Sequence, residues 1–230
     1  MTMKNLKTVL LSLVALSLMA CGAKAEPKTW SFDFTQGDSG FESVFADYHD
    51  DGHNFETFEM AYDRTLIPGT TTQGLRLQGH NRSDDLFMGI VKELTGLKPS
   101  TSFTLSLSFT LYTEAEAGSI GIGGSPADSV YVKAGFVNEP PVVTEGEDSL
   151  WVLNIDKGQQ SQGSAGIPVV GTMAKPEGSE AGFVSKGFEV TLTITTDASG
   201  NLWLVIGTDS GYEGLTVYYL DDITLTATPK

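Results

Sequence analysis

The residues best suited to ligand chemistry in this 230-residue chain follow Trp151. The polar side chains of Asn154, Asp156 and Gln159 lie within eight positions of that indole. A sugar stacks its apolar face on an aromatic ring, and its hydroxyls need positioned polar groups. Tyr48, in a predicted loop, is a further aromatic candidate. We predict a ligand-binding surface from these five residues; the alternative is that they only cover loop ends.

Residues 47–53 combine three carboxylates with two of the chain's three histidines. His49 and His53 are four positions apart, a spacing that serves zinc only on a helix. The run Asp50-Asp51-Gly52 between them favours a turn. The segment is therefore predicted to be a polar surface loop or a loop that contributes to ligand binding, and a transition-metal site is the less favoured alternative.

Known catalytic motifs are missing from the sequence. It contains no Gly-x-Ser-x-Gly elbow, no His-Glu-x-x-His and no phosphate loop. Paired carboxylates hydrolyse glycosides, but nothing singles out one pair among 29 acidic residues. Enzymatic activity is therefore left open, with a non-catalytic role preferred.

The charge balance excludes some partners. The formal net charge is -15, and no basic stripe is present, so nucleic-acid binding is not expected. Anionic lipid headgroups are also repelled, so membrane attachment requires a covalent anchor. The single cysteine, Cys21, rules out an intrachain disulfide and a cysteine-based zinc site.

The elements that must position these residues are predicted to be strands. Alternation is clearest from Phe103 to Leu111, where every second residue is apolar and the others are serine or threonine. Further apolar or alternating runs are separated by turn signals such as Pro68-Gly69 and Ser199-Gly200. No segment has a sustained helical period. The pattern predicts an all-β protein, an antiparallel β-sandwich or jelly roll, in a single domain over residues 29–228.

The N-terminal segment resembles the signal of a bacterial lipoprotein. Lys4 and Lys7 precede an apolar run at 9–18 that is too short to span a bilayer as a helix. The following Leu18-Met19-Ala20-Cys21 resembles a lipobox. The alternative is an ordinary secretory signal with an incidental cysteine.

That resemblance implies a signal peptide at 1–20, lipid and acyl (palmitate-like) chains on Cys21, and a lipidated tether at 21–28. Gly22 resembles the residue found in lipoproteins sorted to the outer membrane of Gram-negative bacteria. The expected location is therefore the cell envelope, with the membrane as partner through the lipid on Cys21.

Three phrases of the mature chain resemble galactose-binding-like jelly rolls, a group that includes many carbohydrate-binding modules. They are FDF at 32–34 with the glycines that follow, GLKPSTSFTL at 96–105, and YYLDDITL at 218–225. Each phrase is short, but together they touch both ends and the middle of the predicted domain. The resemblance implies a jelly-roll fold, and it does not settle function.

The same resemblance implies a structural calcium ion where the first and last strands meet, with an aspartate of the last strand as a ligand. Period-2 alternation would place Asp221 on the inner side with Ile223, where an unpaired carboxylate is costly. Asp33 and Asp38 could complete an oxygen shell. Alternatively, Asp221 ends a strand and is capped by solvent or backbone N–H groups.

These observations favour a lipid-anchored envelope protein whose non-catalytic β-sandwich binds an extracellular ligand, most plausibly carbohydrate. The main alternative is a structural or protein-interaction lipoprotein that binds no sugar. A glycoside- or ester-cleaving enzyme is less favoured. An exposed aromatic platform would favour the first, an apolar surface patch the second, and a cleft with a carboxylate of raised pKa the third.

Overall fold

The computed structural model describes residues 26–49, 54–82 and 85–230, which form two antiparallel sheets packed face to face and one small sheet. Helical backbone in these ranges is limited to α1 (Asn54–Thr57) and a 3-10 turn at Glu147–Ser149. The strands are β1 (Lys28–Phe32), β2 (Glu42–Ala46), β3 (Tyr48–His49), β4 (Ala61–Leu66), β5 (Gln73–His80), β6 (Leu86–Leu94), β7 (Ser102–Thr113), β8 (Val130–Val137), β9 (Val143–Glu145), β10 (Leu150–Leu153), β11 (Val169–Thr172), β12 (Val184–Thr195), β13 (Leu202–Ser210) and β14 (Leu215–Pro229).

The first sheet has the strand order β12-β7-β14-β5-β4, and β1 pairs with the second half of β14. Within β7 the apolar residues from Phe103 to Leu111 are buried, and the serines and threonines between them are not. One face of this sheet therefore packs on the core, which is why its sequence alternates.

A β-bulge interrupts β14 where its neighbours change. The register against β7 shifts between Asp221 and Thr224, and Asp222 has a positive φ of 49°. In a regular strand, residues three apart point to opposite faces of the sheet. Because the bulge adds one residue, Leu220 and Ile223 instead both point into the core. Before the bulge β14 pairs with β5, and after it with β1.

The second sheet has the order β11-β8-β13-β6-β2 and is apolar on both faces. Leu204 and Ile206 pack in the core between the two sheets, whereas Val205 packs in a second apolar cluster on the outer face. Leu153 and Ile155, from β10 and the segment after it, complete that cluster. Because both faces are covered, β13 shows no alternation.

The segment between β10 and β11, residues 154–168, lies directly on the second sheet at Gly135, and we call it the covering segment. The backbone N–H of Phe136 donates to the carbonyl of Gly166 over 2.8 Å. A Cβ on residue 135 would overlap that carbonyl oxygen, so this close approach requires glycine. The segment is thereby held over the outer face of the sheet.

The predicted antiparallel β-sandwich is confirmed, and the alternating run from Phe103 to Leu111 lies within β7. Strand β4 was not predicted. Its sequence Ala-Tyr-Asp-Arg-Thr-Leu does not alternate apolar and polar residues, and none of its side chains is fully buried. Cys21 and the rest of the expected signal and tether up to residue 25 lie outside the described residues. Within the described ranges, no helix has the length and apolar character needed to cross a membrane.

Candidate functional site

A cluster of buried charges lies on the outer face of the second sheet. Asp209 and Lys133 come from the neighbouring strands β13 and β8, and both side chains have no exposed surface. Asp47 follows β2, Asp85 precedes β6, and Lys157 lies in the segment after β10. The sheet and its covering segment therefore meet at these five side chains.

Asp209 is the hub of the cluster. Its Oδ2 accepts hydrogen bonds from Lys133 Nζ at 2.6 Å, Lys157 Nζ at 2.9 Å and the backbone N–H of Gln160 at 3.1 Å. Lys157 Nζ also lies 2.6 Å from Oδ2 of Asp47. Burial alone would raise the pKa of Asp209, but Lys157, the hydrogen bond with Asp85 and Lys133 outweigh it and lower that pKa.

Lys133 ties the covering segment to the sheet. Besides its bond to Asp209, its ammonium group donates to the backbone carbonyls of Lys157 and Gln162, both at 2.9 Å. All three donors of a buried ammonium are thus used. The position of the covering segment is consequently fixed by a side chain of the sheet.

Asp85 forms a carboxyl pair with Asp209, and this pair retains a proton. Burial, followed by its hydrogen bond to Asp209 and the nearby negative charge, raises the pKa of Asp85 to about 8. At neutral pH the proton lies between Asp85 and Asp209, and it belongs to the pair rather than to either residue. With Asp47 and Asp209 ionised and both lysines charged, the cluster is then close to neutral.

The three carboxylates of Asp47, Asp85 and Asp209 bring ligand oxygens within 4.8 Å of one another, so this triad could hold a metal ion. No other set of three or more acidic, histidine or cysteine side chains in the described ranges does so. Lys133 and Lys157 already bond to Asp209, and an ion here would have to compete with both ammonium groups.

A cleft of about 480 Å3 opens beside the cluster. Asp47 and Asp85 form its floor with Lys157, and the exposed side chains of Asp156 and His49 lie at its edge. Its complete lining is Asp47, His49, Asp85, Leu150, Val152, Leu153, Ile155, Asp156, Lys157, Gly158 and Gln159. Polar and charged groups and four aliphatic side chains therefore line the same cleft.

The predicted ligand residues are only partly brought together. Asp156 and Gln159 line the cleft, and the Gln159 amide donates to Asp85 Oδ2 over 3.5 Å. Asn154 instead closes a loop: its Oδ1 accepts from the N–H of Val142 at 2.7 Å, and its Nδ2 donates to a carbonyl at 3.0 Å. Its hydrogen-bonding groups are therefore used within the protein.

The two predicted aromatic residues lie opposite each other on paired strands. Tyr48 and Trp151 stack with ring centroids 6.4 Å apart and an interplanar angle of 8°. Tyr48 is buried against Phe58, and Trp151 is partly buried against the same core. Neither ring lines the cleft, so the cleft wall is made of aliphatic side chains rather than of these rings.

Of the three predicted calcium ligands, Asp33 directly follows β1, Asp38 lies between β1 and β2, and Asp221 lies in the interior of β14. Asp33 accepts hydrogen bonds from the N–H and hydroxyl of Thr35 at 3.1 and 2.9 Å, and Asp38 accepts from the N–H of Gly40 at 2.9 Å. Asp221 is 1% exposed, and its Oδ1 has no hydrogen-bond partner in the described residues. Burial, with the charges of Asp222 and Asp33, raises the pKa of Asp221 to about 6.

The predicted inward orientation of Asp221 is wrong, because of the bulge in β14. Asp221 lies opposite Thr110 of β7, and opposed residues of paired strands share a face. Thr110 alternates with the core residues Phe109 and Leu111, so both side chains point to the outer face. The buried carboxylate is nevertheless consistent with a cation, since an orphaned oxygen at this depth is otherwise costly.

None of the five members of the charge cluster was among the predicted ligand residues, and only Asp47 belonged to the polar segment predicted at 47–53. Asp209 and Lys133 each interrupt an apolar strand run, and that interruption was the only available signal. Their contact joins positions 76 residues apart, so no local pattern could reveal it. Of the predicted histidine pair, His49 lies at the cleft and its Nδ1 is 3.1 Å from the carbonyl oxygen of Asp148, whereas His53 is outside the described residues.

Neither a family model nor a curated protein matches the chain. Solved structures with a similar fold include carbohydrate-binding modules of the β-sandwich superfamily, at 11% identity and a TM-score of 0.43. That alignment covers 84% of this chain and 59% of the other chain. Others are a carbohydrate-binding module that recognises mannan (13% identity, TM-score 0.42, 89% of this chain and 98% of that one), and the K1 cleaved adhesin domain of Lys-gingipain from Porphyromonas gingivalis (10%, 0.37, 86% and 97%). At these identities and TM-scores, no ligand can be transferred from them to this chain.

The proton on Asp85 predicts a stability that falls as the pH rises. A carboxyl group whose pKa is raised on folding binds more protons in the folded than in the unfolded state, so the free energy of unfolding decreases up to its folded pKa. We expect this decrease between about pH 6, above the raised pKa of Asp221, and about pH 8, the raised pKa of Asp85, in urea titrations, and we expect Asp85→Asn to abolish most of it. Asp156→Asn, at an exposed carboxylate, should leave the decrease unchanged. An Asp85→Asn variant with the full wild-type decrease would contradict the assignment.

Proposed function

We propose that this domain binds carbohydrate, without chemistry, in the cleft beside Asp85. The observation that carries this is the lining of the cleft, which combines convergent polar groups with an aliphatic wall in a volume typical of small-molecule sites. Gln159 and Asp156 offer hydrogen-bonding groups to hydroxyls, and Leu150 and Val152 offer contact to the apolar face of a sugar ring.

The charge of the site narrows the class of glycan. Lys157 is the one lysine or arginine of the lining, and it is held between Asp47 and Asp209. Asp156 has no ion-pair partner in the described part of the chain. Phosphorylated, sulfated or uronic-acid ligands would therefore meet uncompensated negative charge, and we propose neutral sugars.

The route to the cleft follows from what covers the second sheet. The β9–β10 hairpin and the segment after it occupy the outer face, so a glycan cannot lie across these strands. Among the side chains that the structure describes, which do not include that of Phe55, no aromatic one is largely exposed, and the proposal uses no aromatic platform. The cleft is thus the site at which ligand contacts are concentrated, and the proposed binding does not depend on Trp151.

A soluble form, residues 26–230, tests this on a panel of neutral and acidic oligosaccharides. We expect selective binding of neutral glycans, and we expect Gln159→Ala to weaken it by about tenfold, the cost of one good contact. Glu189→Gln, at an exposed carboxylate of β12 on the other sheet, is the matched control and should bind as the wild type. Equal binding by Gln159→Ala would remove the cleft as the site, and no binding on the whole panel would remove the function.

We also propose a structural calcium ion beside Asp221, with Asp33 as the nearest candidate to share it. The support is the buried Oδ1 of Asp221 without a partner and the influence of Asp33 on its pKa. Asp38 has a carboxylate oxygen engaged by Gly40, and it is the least supported of the three predicted ligands. The backbone of Asp222 donates a hydrogen bond to the carboxylate of Asp221, and a hard cation with oxygen ligands would satisfy the remaining Oδ1, which has no donor in the described residues.

Thermal unfolding with calcium or chelator tests the ion. Calcium should raise the melting temperature of the wild type, because a ligand that binds only the folded state stabilises it. Asp221→Ala should lose the response, and Asp156→Asn should keep it. If the response survives in Asp221→Ala and disappears in Asp85→Asn, the ion belongs to the Asp47–Asp85–Asp209 triad instead. An unchanged melting temperature in the wild type would remove the ion.

We further propose that the protein is held in the cell envelope by lipid on Cys21, in the outer membrane of a Gram-negative bacterium. The support is the lipobox-like Leu18-Met19-Ala20-Cys21 behind a short apolar run, together with the lack of any other cysteine. The acidic chain would not attach to anionic lipid by charge, so the acyl chains would provide the attachment.

Metabolic labelling with a fatty-acid analogue tests the anchor in the full-length protein. Cys21→Ser should lose the label and move from the membrane to the soluble fraction. Ser12→Ala, in the apolar run, should keep both properties. A Cys21→Ser protein that remains labelled and membrane-bound would show that the anchor lies elsewhere.

A further inference from the structure

Two isoleucines on the loop between β7 and β8 are exposed to a degree unusual for this residue type. Ile120 is 96% exposed and Ile122 is 72% exposed, and they are separated only by Gly121. Single apolar residues on a surface are normal, but adjacent large ones mark interaction sites. The cleft does not use either side chain.

The exposure of these side chains is imposed by an ordered loop. The N–H of Gly118 donates to Asp128 Oδ2 at 2.8 Å, and the N–H of Glu213 donates to the carbonyl of Ile122 at 2.9 Å. The ring of Tyr212 packs so closely on Gly121 that a Cβ there would overlap it. The loop is therefore fixed to the start of β14, and its two isoleucines are held outward.

Other residues of the same loop help to line an apolar cavity. This cavity of about 200 Å3 is lined mainly by apolar side chains, among them Pro126, Met173 and Leu215. Leu215 is itself exposed. We call Ile120, Ile122, Pro126 and Leu215 the distal apolar surface. Its cavity is wide enough to receive an apolar side chain from outside.

Acidic groups surround this surface. Glu114, Glu116, Asp128 and Glu213 belong to its loop and to the adjoining turn, and no lysine or arginine occurs between Lys98 and Lys133. Among these four acids, only Glu116 forms an ion pair in the described residues, with Lys175. Charge complementarity therefore favours a basic partner, and it disfavours a second copy of this acidic chain or an anionic membrane.

The distal apolar surface lies at the end of the sandwich opposite to β1. Lys28 and Leu105 both pair with Ala227, so β1 begins near the start of β7. The loop leaves β7 after Thr113, about eight residues or roughly 26 Å further along the strand. A tether that enters at β1 thus leaves this surface pointing away from the point of attachment.

We propose that the distal apolar surface docks a protein partner that presents apolar side chains within a basic rim. Isoleucine offers no hydrogen bond to a sugar hydroxyl, so this surface does not serve the glycan. Docking is independent of the cleft, and either one can fail while the other holds.

The probe is a peptide of alternating leucine and lysine, compared with its leucine–glutamate counterpart, in binding to residues 26–230. The wild type should bind the basic peptide and not the acidic one, and Ile120→Ser/Ile122→Ser should weaken binding by about tenfold or more. The matched control is Leu66→Ser/Val142→Ser, which removes two other exposed apolar side chains and should bind as the wild type. The isoleucine variant should keep the wild-type melting temperature, because the side chains of Ile120 and Ile122 are largely in solvent.

Each other result overturns the proposal. Equal binding by the isoleucine variant, or no binding of the basic peptide to the wild type, removes the docking surface. Binding to phosphatidylcholine vesicles in place of the peptide, if lost in the isoleucine variant, assigns the surface to a membrane. Self-association in sedimentation experiments, if lost in the same variant, assigns it to a second copy of the chain.

Discussion

The burial of one carboxylate, Asp209, constrains much of this molecule. A negative charge with no exposed surface is tolerated only when cations and hydrogen-bond donors surround it. Lys133 supplies them from the adjacent strand, and Lys157 and Gln160 from the covering segment. The covering segment must therefore take one position, and that position determines the shape of the cleft.

The charge cluster is also an argument against catalysis by the same groups. Glycoside hydrolysis needs two carboxyl groups separated widely enough to admit a sugar or a water between them. Asp85 and Asp209 instead share a hydrogen bond, and Oδ2 of Asp209 is engaged by two lysines. A raised carboxyl pKa marks functional sites only statistically, since structural networks of ion pairs produce it as well.

The strands that the sequence predicts best are those with one face in the core and the other face in solvent. β7 alternates because serine and threonine meet solvent, and it is identified at once. β13 is covered on both sides, so its sequence shows a strand but not what covers it. The ligand residues were located by proximity in sequence to Trp151, which finds Asp156 and Gln159 at the cleft. That method cannot find Asp209 or Lys133, whose role depends on strands far apart in the chain.

Asp221 shows a different limit. Alternation assigns its direction only if the strand is regular, and a single extra residue at Asp222 reverses it. The sequence around the bulge, residues 218–225, contains no glycine, the residue that would have indicated a bulge. The bulge lies where the partner of β14 changes from β5 to β1. Predicting it would have required the pairing of the whole sheet, which the local sequence does not contain.

The pairing of β1 with β14 has a mechanical consequence. Five residues of β1 run antiparallel to the last part of β14, and this strand is the first that a tether would reach. A pull on the chain before Lys28, directed along the strand, stretches all the hydrogen bonds of this pair together instead of opening them one after another. Strands loaded in this way resist force well. Tension applied through a tether before Lys28 would therefore act on a strand pair that resists it.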